Sequence, residues 1–297
     1  MASDVKELMA KVGKIRILTN RLIDDRLSGD YHSTFKGQGV EFDEVRPYEL
    51  GDDVRSIDWN VTARTGIPYI KRYAEERELT VLFMVDVSGS QSYGSLGRTK
   101  AELAAEVTAL LALTAIRNQD KVGLVLFTDR IVKYIPPKKG RDSVMRLARE
   151  VLASGEEAGG KTDIAEALKF LSTVQKRRAV VFLVSDFIFP GSQDWRTLLK
   201  AACRHHDMIC AFVCDPAESQ LPDVGLVELE DPESGELALV DTSDSSVRAA
   251  FAECSRRKTE DLKKFFAKSS IDTLDLSTDR PYIDEVRALF KRRANKR

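Results

Sequence analysis

Leu79-Thr80-Val81-Leu82-Phe83-Met84-Val85-Asp86-Val87-Ser88-Gly89-Ser90 is the stretch whose reading decides the fold. It opens as an uncharged apolar run, the pattern of a strand buried on both faces. The run then ends in a carboxylate and two hydroxyls at alternate positions, Asp86, Ser88 and Ser90. Three oxygens from one turn suit a hard cation. Mg²⁺ takes oxygen ligands in near-octahedral geometry and usually keeps some waters.

Working outward, the same alternation continues. Helices are expected over 98–118, 141–152, 163–171, 195–204, 245–268 and 281–293. Strands are expected over 81–85, 122–127, 131–135, 179–184, 208–213 and 271–276. A hairpin is expected over 226–229 and 237–240, about the turn signal Asp231-Pro232-Glu233-Ser234-Gly235. Apolar strands alternating with helices predict an α/β fold, with a mostly parallel central sheet and helices on both faces. Ligands of such sheets bind outside the carboxyl ends of the strands, which is where Asp86 to Ser90 stand.

Upstream, residues 3–27 read as an amphipathic helix with Leu8, Val12, Ile15 and Leu22 near helical spacing. Residues 28–68 carry Gly29, Gly37, Gly39, Gly51, Gly66, Pro47 and Pro68, and read as an irregular extension with short strands. The expected division is therefore 1–77, an N-terminal helix and extension packed on the core, and 78–297, the α/β domain.

Composition narrows the function. A net charge of -1 argues against general nucleic-acid binding. Cys203, Cys210, Cys214 and Cys254 form no C-x-x-C pair, and the histidines are His32, His205 and His206. A zinc site is not expected; reduced, buried thiols of a cytosolic protein are. The N-terminus lacks the apolar centre of a signal peptide. The longest apolar stretch, around 107–116, falls short of the roughly 18 residues of a membrane span. The expected protein is cytoplasmic, with no transmembrane segment.

Two further segments complete a candidate site. Gly159-Gly160-Lys161-Thr162-Asp163 leads into a helix, and Val184-Ser185-Asp186 ends a strand. At one sheet edge, Ser88, Ser90 and Thr162 would supply neutral oxygens, and Asp86 and Asp186 charge, directly or through water. Hydroxyls donate weakly, so the ion keeps its electrophilic character. An open position would then attract an Asp or Glu of a partner protein, helped by the field at the start of the 98–118 helix. The plainer alternative is that Asp86 and the serines cap that helix or order the turn.

Catalytic patterns match less well. Ser88 occupies the place of the second aspartate of a haloacid-dehalogenase phosphatase. No G-x-S-x-G elbow is present. Gly89 and Gly94 have P-loop spacing, but Ser95 stands where lysine is required. His205-His206 reads as a helix terminus, where a cation is favoured. The enzymatic alternative is a metal-dependent hydrolase using Asp86, Asp163 and Asp186.

Asp-x-Ser-x-Ser, a later Thr after Gly-Gly, and an Asp at a later strand end resemble the metal-ion-dependent adhesion site of von Willebrand factor A domains. Gln91 stands where such sites often carry methionine. A second set of residues narrows the resemblance: Gly39-Val40-Glu41-Phe42, Arg46-Pro47-Tyr48, Gly51 to Trp59, Thr62-Ala63-Arg64, Lys71-Arg72-Tyr73 and Glu75-Glu76-Arg77-Glu78. Together they are similar to the bacterial domain-of-unknown-function 58 proteins, which carry a von Willebrand A-like domain. That resemblance implies a gene beside a MoxR-type AAA+ ATPase and an adaptor or co-chaperone of it rather than an enzyme. It also implies Mg²⁺ or Mn²⁺ held by Asp86, Ser88, Ser90, Thr162 and Asp186.

Read physically, Asp52, Asp53 and Asp58 lie close in sequence to Arg46, Arg55 and Arg64, and predict a carboxylate–guanidinium lattice that holds the extension. A second acidic metal or hydrolytic site is the alternative, though the spacing is not that of an EF-hand. The tail 291–297 is basic. It reads as a solvated helix end suited to the dipole, with contact to an acidic partner or membrane surface as the sharper alternative.

Overall fold

The computed structural model of the chain describes residues 2–23, 25–35, 41–74, 78–95, 97–157, 160–188, 194–230 and 236–295. In chain order the first elements are α1 (Ala2–Leu22), α2 (Asp25–Thr34), β1 (Glu41–Pro47), α3 (Trp59–Thr65) and β2 (Tyr69–Ala74). Then come β3 (Thr80–Asp86), α4 (Lys100–Arg117), β4 (Lys121–Phe127), β5 (Ile131–Lys138), α5 (Arg141–Glu157), α6 (Ile164–Val174) and β6 (Val180–Ser185). The last are α7 (Asp194–His205), β7 (Asp207–Cys214), β8 (Leu226–Glu230), β9 (Leu237–Asp241), α8 (Ser245–Lys268), β10 (Asp272–Ser277) and α9 (Ile283–Asn295). They group into two compact units, Met1–Thr34 with Thr80–Arg297, and Phe35–Leu79. The break near residue 79 lies close to the expected boundary at 77, but the N-terminal helices group with the sheet rather than with the extension.

In the larger unit six strands form one sheet in the order β10-β7-β6-β3-β4-β5. All neighbours pair in parallel except β4 with β5, a hairpin at the edge. The expected mostly parallel α/β fold is what forms. The continuous apolar runs explain it, because β3 and β6 are buried on both faces. Leu82, Met84, Val125, Phe127, Val181 and Leu183 share one face with Leu168 of α6, Trp195 and Leu199 of α7 and Phe266 of α8. Residues of the other parity, such as Phe83 and Phe182, whose rings stack at 5.2 Å, point to the opposite face, where α4 lies. α4 starts in a capping box between Thr99 and Glu102 and is buried on nearly all sides. Register aligns Val85 with Val184 and Asp86 with Phe127, so β3, β4 and β6 end together.

The N-terminus departs from expectation. The single helix over 3–27 is two helices, and 28–34, expected to be irregular, belongs to the second. Gly29 argues against a helix on propensity, but it is exposed, while Leu27 and Tyr31, four residues apart, are buried. The Tyr31 hydroxyl donates to Asp120 Oδ2 at 2.7 Å, and its ring meets Phe290 edge-on.

In the smaller unit β1 pairs antiparallel with β2. The expected lattice reduces to one bidentate pair, Arg46 with Asp52 at 2.9 and 2.7 Å. Asp53 caps the 54–56 turn, and Asp58 caps α3 and pairs with Lys71 at 3.4 Å. Backbone N–H groups at helix starts, and not the nearby arginines, take these two carboxylates. Gly37, Gly39, Val40, Glu75, Glu76 and Arg77, and the 231–235 turn, lie outside the described residues.

Two smaller expectations also change. Cys254 is exposed, whereas Cys210 is buried. Arg293, in the basic tail, is buried and pairs with Asp207 and, at 3.4 Å, Asp272, while Arg292 donates to the Thr273 carbonyl. That part of the tail is therefore packing material, not a free basic patch; Lys296 and Arg297 lie outside the described residues. No described helix is long and apolar enough to cross a membrane.

Candidate metal centre

Three loops meet at the carboxyl edge of the sheet. The first follows β3. Asp86 Oδ1 accepts the Ser88 backbone N–H at 3.0 Å, which turns the chain so that Ser88 and Ser90 sit side by side, Oγ to Oγ 3.2 Å. The second precedes α6. Gly160 holds φ +118, a backbone glycine adopts at no cost, and its carbonyl accepts Gly89 N–H at 3.4 Å. Asp163 N–H donates to the Thr128 carbonyl past the end of β4. Thr162 Oγ1 then reaches Asp86 Oδ2 at 3.3 Å. Gly159 lies outside the described residues. The third follows β6. Ser90 Oγ donates to Asp186 Oδ2 at 2.7 Å, and Ile188 N–H donates to Asp186 Oδ1 at 3.1 Å. Phe187, between them, holds φ +55, left-handed backbone that costs a bulky residue on the order of 1–3 kcal/mol. Its ring is kept there by Trp195, Phe212 and Phe266.

All five expected residues, Asp86, Ser88, Ser90, Thr162 and Asp186, are thus brought together, and all are buried. Asp163 is not with them. It is exposed and caps α6 by accepting Glu166 N–H at 3.1 Å, so the three-aspartate cluster of the hydrolase alternative does not form. His205-His206 sits where α7 hands over to β7, at the opposite end of the sheet. His206 is buried, and burial, with the charges of His205 and Arg178, lowers its pKa, so it is a neutral core histidine rather than a helix-end cation. Ser95, in the stretch compared with a P-loop, donates through its N–H and Oγ to Asp215 at 3.0 and 2.6 Å.

Three participants were not anticipated. Ser185 Oγ donates to Asp86 Oδ2 at 2.7 Å. Lys100, fully buried, donates to Asp186 Oδ2 at 2.7 Å and also to Glu218 Oε1. Each left a trace in the sequence. A lysine at the first position of a helix that is buried on nearly all sides opposes the helix dipole and calls for a carboxylate partner. Asp215-Pro216-Ala217-Glu218 is a capping-box pattern, which the structure realises. Ser185 adjoins Asp186 at the same strand end.

The donor set fits a divalent cation. The hydroxyl hydrogens of Ser90, Thr162 and Ser185 go to carboxylate oxygens, which leaves hydroxyl lone pairs for an ion. Asp86, Asp186 and Glu218 carry three negative charges against the single positive charge of Lys100. Burial, and then the charge of Asp186, push the Asp86 carboxyl up to about 6. Burial pulls Lys100 down, but Asp186 and Glu218 outweigh it and hold the ammonium above its ordinary value. Burial, joined by the charge of Asp186, raises Glu218 despite the opposing pull of Lys100 and the Asp215 N–H. Among the described residues no group of three or more His, Cys, Asp or Glu side chains is arranged to hold a metal, so hydroxyl oxygens would carry the ion.

Residues 44–261 match the family described as "Protein of unknown function DUF58". The chain belongs to that DUF58 family. It is 30% identical over 292 residues to "Uncharacterized protein Mb1516" of Mycobacterium bovis, covering 98% of this chain and 91% of that protein. The same figures hold for "Uncharacterized protein Rv1480" of Mycobacterium tuberculosis. Among solved structures, an aerotolerance-related membrane protein from Bacteroides fragilis shares 14% identity at a TM-score of 0.48, covering 74% of this chain and all of that one. The VWA domain of SpRpn10 shares 9% at 0.40, covering 71% of this chain and 94% of its own. These two likenesses, at such identities and scores, are set beside the DUF58 fold and carry nothing about its site.

Proposed function

We propose that this DUF58 protein is a cytoplasmic interaction module that grips an Asp or Glu of a protein partner through Mg²⁺ or Mn²⁺ at the Asp86–Ser88–Ser90–Thr162–Asp186 centre. The observation that carries the reading is the convergence of three loops on a buried, hydroxyl-rich, negatively charged cluster at one sheet edge. When bound, the ion supplies a Lewis-acidic position for an outside carboxylate. Asp86 and Asp186 orient the hydroxyls, and the burial of all five residues excludes competing water. Family membership extends the proposal to the partner: a MoxR-type AAA+ ATPase, with the chain as its adaptor or co-chaperone.

The test is binding of a purified MoxR-type ATPase to wild type, Asp86→Ala and Ser88→Ala, in Mg²⁺ and in EDTA. Binding by wild type in Mg²⁺, lost in EDTA and in both variants, is expected. Equal binding in every arm refutes the metal bridge. If wild type never binds the ATPase, that choice of partner is wrong.

A further inference from the structure

Among the described residues, Lys100 is a fully buried lysine. It opens a helix whose dipole disfavours a cation there, and its ammonium lies 2.7 Å from Asp186 Oδ2. The same Oδ2 accepts Ser90 Oγ at 2.7 Å, and Oδ1 accepts Ile188 N–H. Asp186 is therefore largely committed to protein donors. Glu218, on the far side of Lys100, is as firmly held: Oε1 takes the ammonium, and Oε2 accepts Asp215 N–H at 2.9 Å. Asp215 in turn accepts from Ser95, Ala217 and Thr278. A chain of charged contacts thus runs from the candidate centre through Lys100 to the turn after β7.

We propose that Lys100 and Glu218 tune the centre: Lys100 is a resident cation that occupies Asp186 and weakens divalent-ion binding, and Glu218 offsets that ammonium and restores it. The inference rests on the metal-centre reading above. Neither residue is needed as a ligand. Both act through Asp186 as positioning and charge-setting groups, as second-layer partners do at metal sites. The charges decide the direction. With Asp86, Asp186, Glu218 and Lys100 in place the cluster sums to two negative charges. Removing Glu218's charge leaves one, and removing Lys100's leaves three. Removing both restores two while freeing Asp186.

The experiment is Mn²⁺ titration, followed by electron paramagnetic resonance of the free ion, on the full chain as wild type, Glu218→Gln, Lys100→Met and the double variant. Circular dichroism checks folding. Glu218→Gln is expected to weaken Mn²⁺ by about 10-fold or more, and Lys100→Met to tighten it by a similar factor. The double variant should lie between them. If Lys100→Met does not fold, the double variant against Glu218→Gln decides: it must bind Mn²⁺ more tightly. Affinities in any other order, or unmoved, overturn the proposal while leaving the metal centre standing. No Mn²⁺ bound by wild type overturns both.

Discussion

Asp215 is the residue whose loss tests the construction of the site edge most directly. It is 1% exposed and joins three segments that are distant in sequence. It accepts Ser95 N–H at 3.0 Å, Ser95 Oγ at 2.6 Å, Thr278 Oγ1 at 2.6 Å and Ala217 N–H at 3.0 Å. Asp215→Asn keeps the shape but turns half of the acceptor into a donor that faces donors. With Oδ1 kept, the cap on Ala217 N–H and the bond from Ser95 Oγ survive. The bonds of Ser95 N–H and Thr278 Oγ1 to the Oδ2 side are lost, at about 1 kcal/mol each. The sum is about 2 kcal/mol, or about 4–8 °C in Tm for a unit of this size. Burial raises the Asp215 carboxyl, but the hydrogen bonds from Ser95, Thr278 and Ala217 outweigh it and hold it below the ordinary value. A group lowered in the folded state contributes its full stability above its unfolded pKa and loses it as pH falls through the folded one. The gap between wild type and variant should therefore be full at pH 7 and narrow below about pH 4. Thermal unfolding by circular dichroism from pH 7 to pH 3 measures it. A Tm loss under about 2 °C at pH 7, or a gap that widens on acidification, refutes the reasoning.

Four other outcomes follow from the same structure. Saturating Mg²⁺ should raise the wild-type Tm, by about 2.7 kcal/mol of linkage at a hundred times Kd, and Asp86→Asn should abolish that rise in differential scanning calorimetry. Phe182→Ala, which empties one half of the Phe83–Phe182 stack, should cost about 3–5 kcal/mol in urea unfolding. Tyr31→Phe should cost about 1–2 kcal/mol by leaving the Asp120 carboxylate without its hydroxyl donor, and hydrogen exchange should rise in α2 first. Gly123→Ala should cost about 1–3 kcal/mol, because its new Cβ would lie 2.9 Å from the Ile135 carbonyl as well as from Leu82 and Pro137 side chains.

The strands were legible because a parallel sheet buried on both faces demands uninterrupted apolar runs, and β3, β4, β6 and β7 have them. The five oxygen-bearing residues were legible because they stand at strand ends or just before a helix, where backbone direction limits where a side chain goes. Lys100 and Glu218 were not read, since their pairing spans 118 residues and is set by how the turn after β7 folds back. α2 was hidden by Gly29, whose low propensity is overridden once Leu27 and Tyr31 have a surface to bury against. Asp53 and Asp58 looked like partners for arginine because charge is visible in a sequence, whereas the N–H groups that take them appear only when a helix starts there.

α2 lies against α9, with Thr34 Oγ1 donating to the Phe290 carbonyl at 3.0 Å and Tyr31 edge-on to Phe290. The second and last helices of the larger unit thus close on each other, with the whole sheet and the separate Phe35–Leu79 unit between them in the chain. During synthesis, α2 has no α9 to dock on until residues 283–295 have left the ribosome. α2 must then wait, supported only in part by α4, while the Phe35–Leu79 unit and the sheet form. Closure of this longest loop is the natural last step of assembly. A stop codon before α9 would loosen the start of the protein as much as its end.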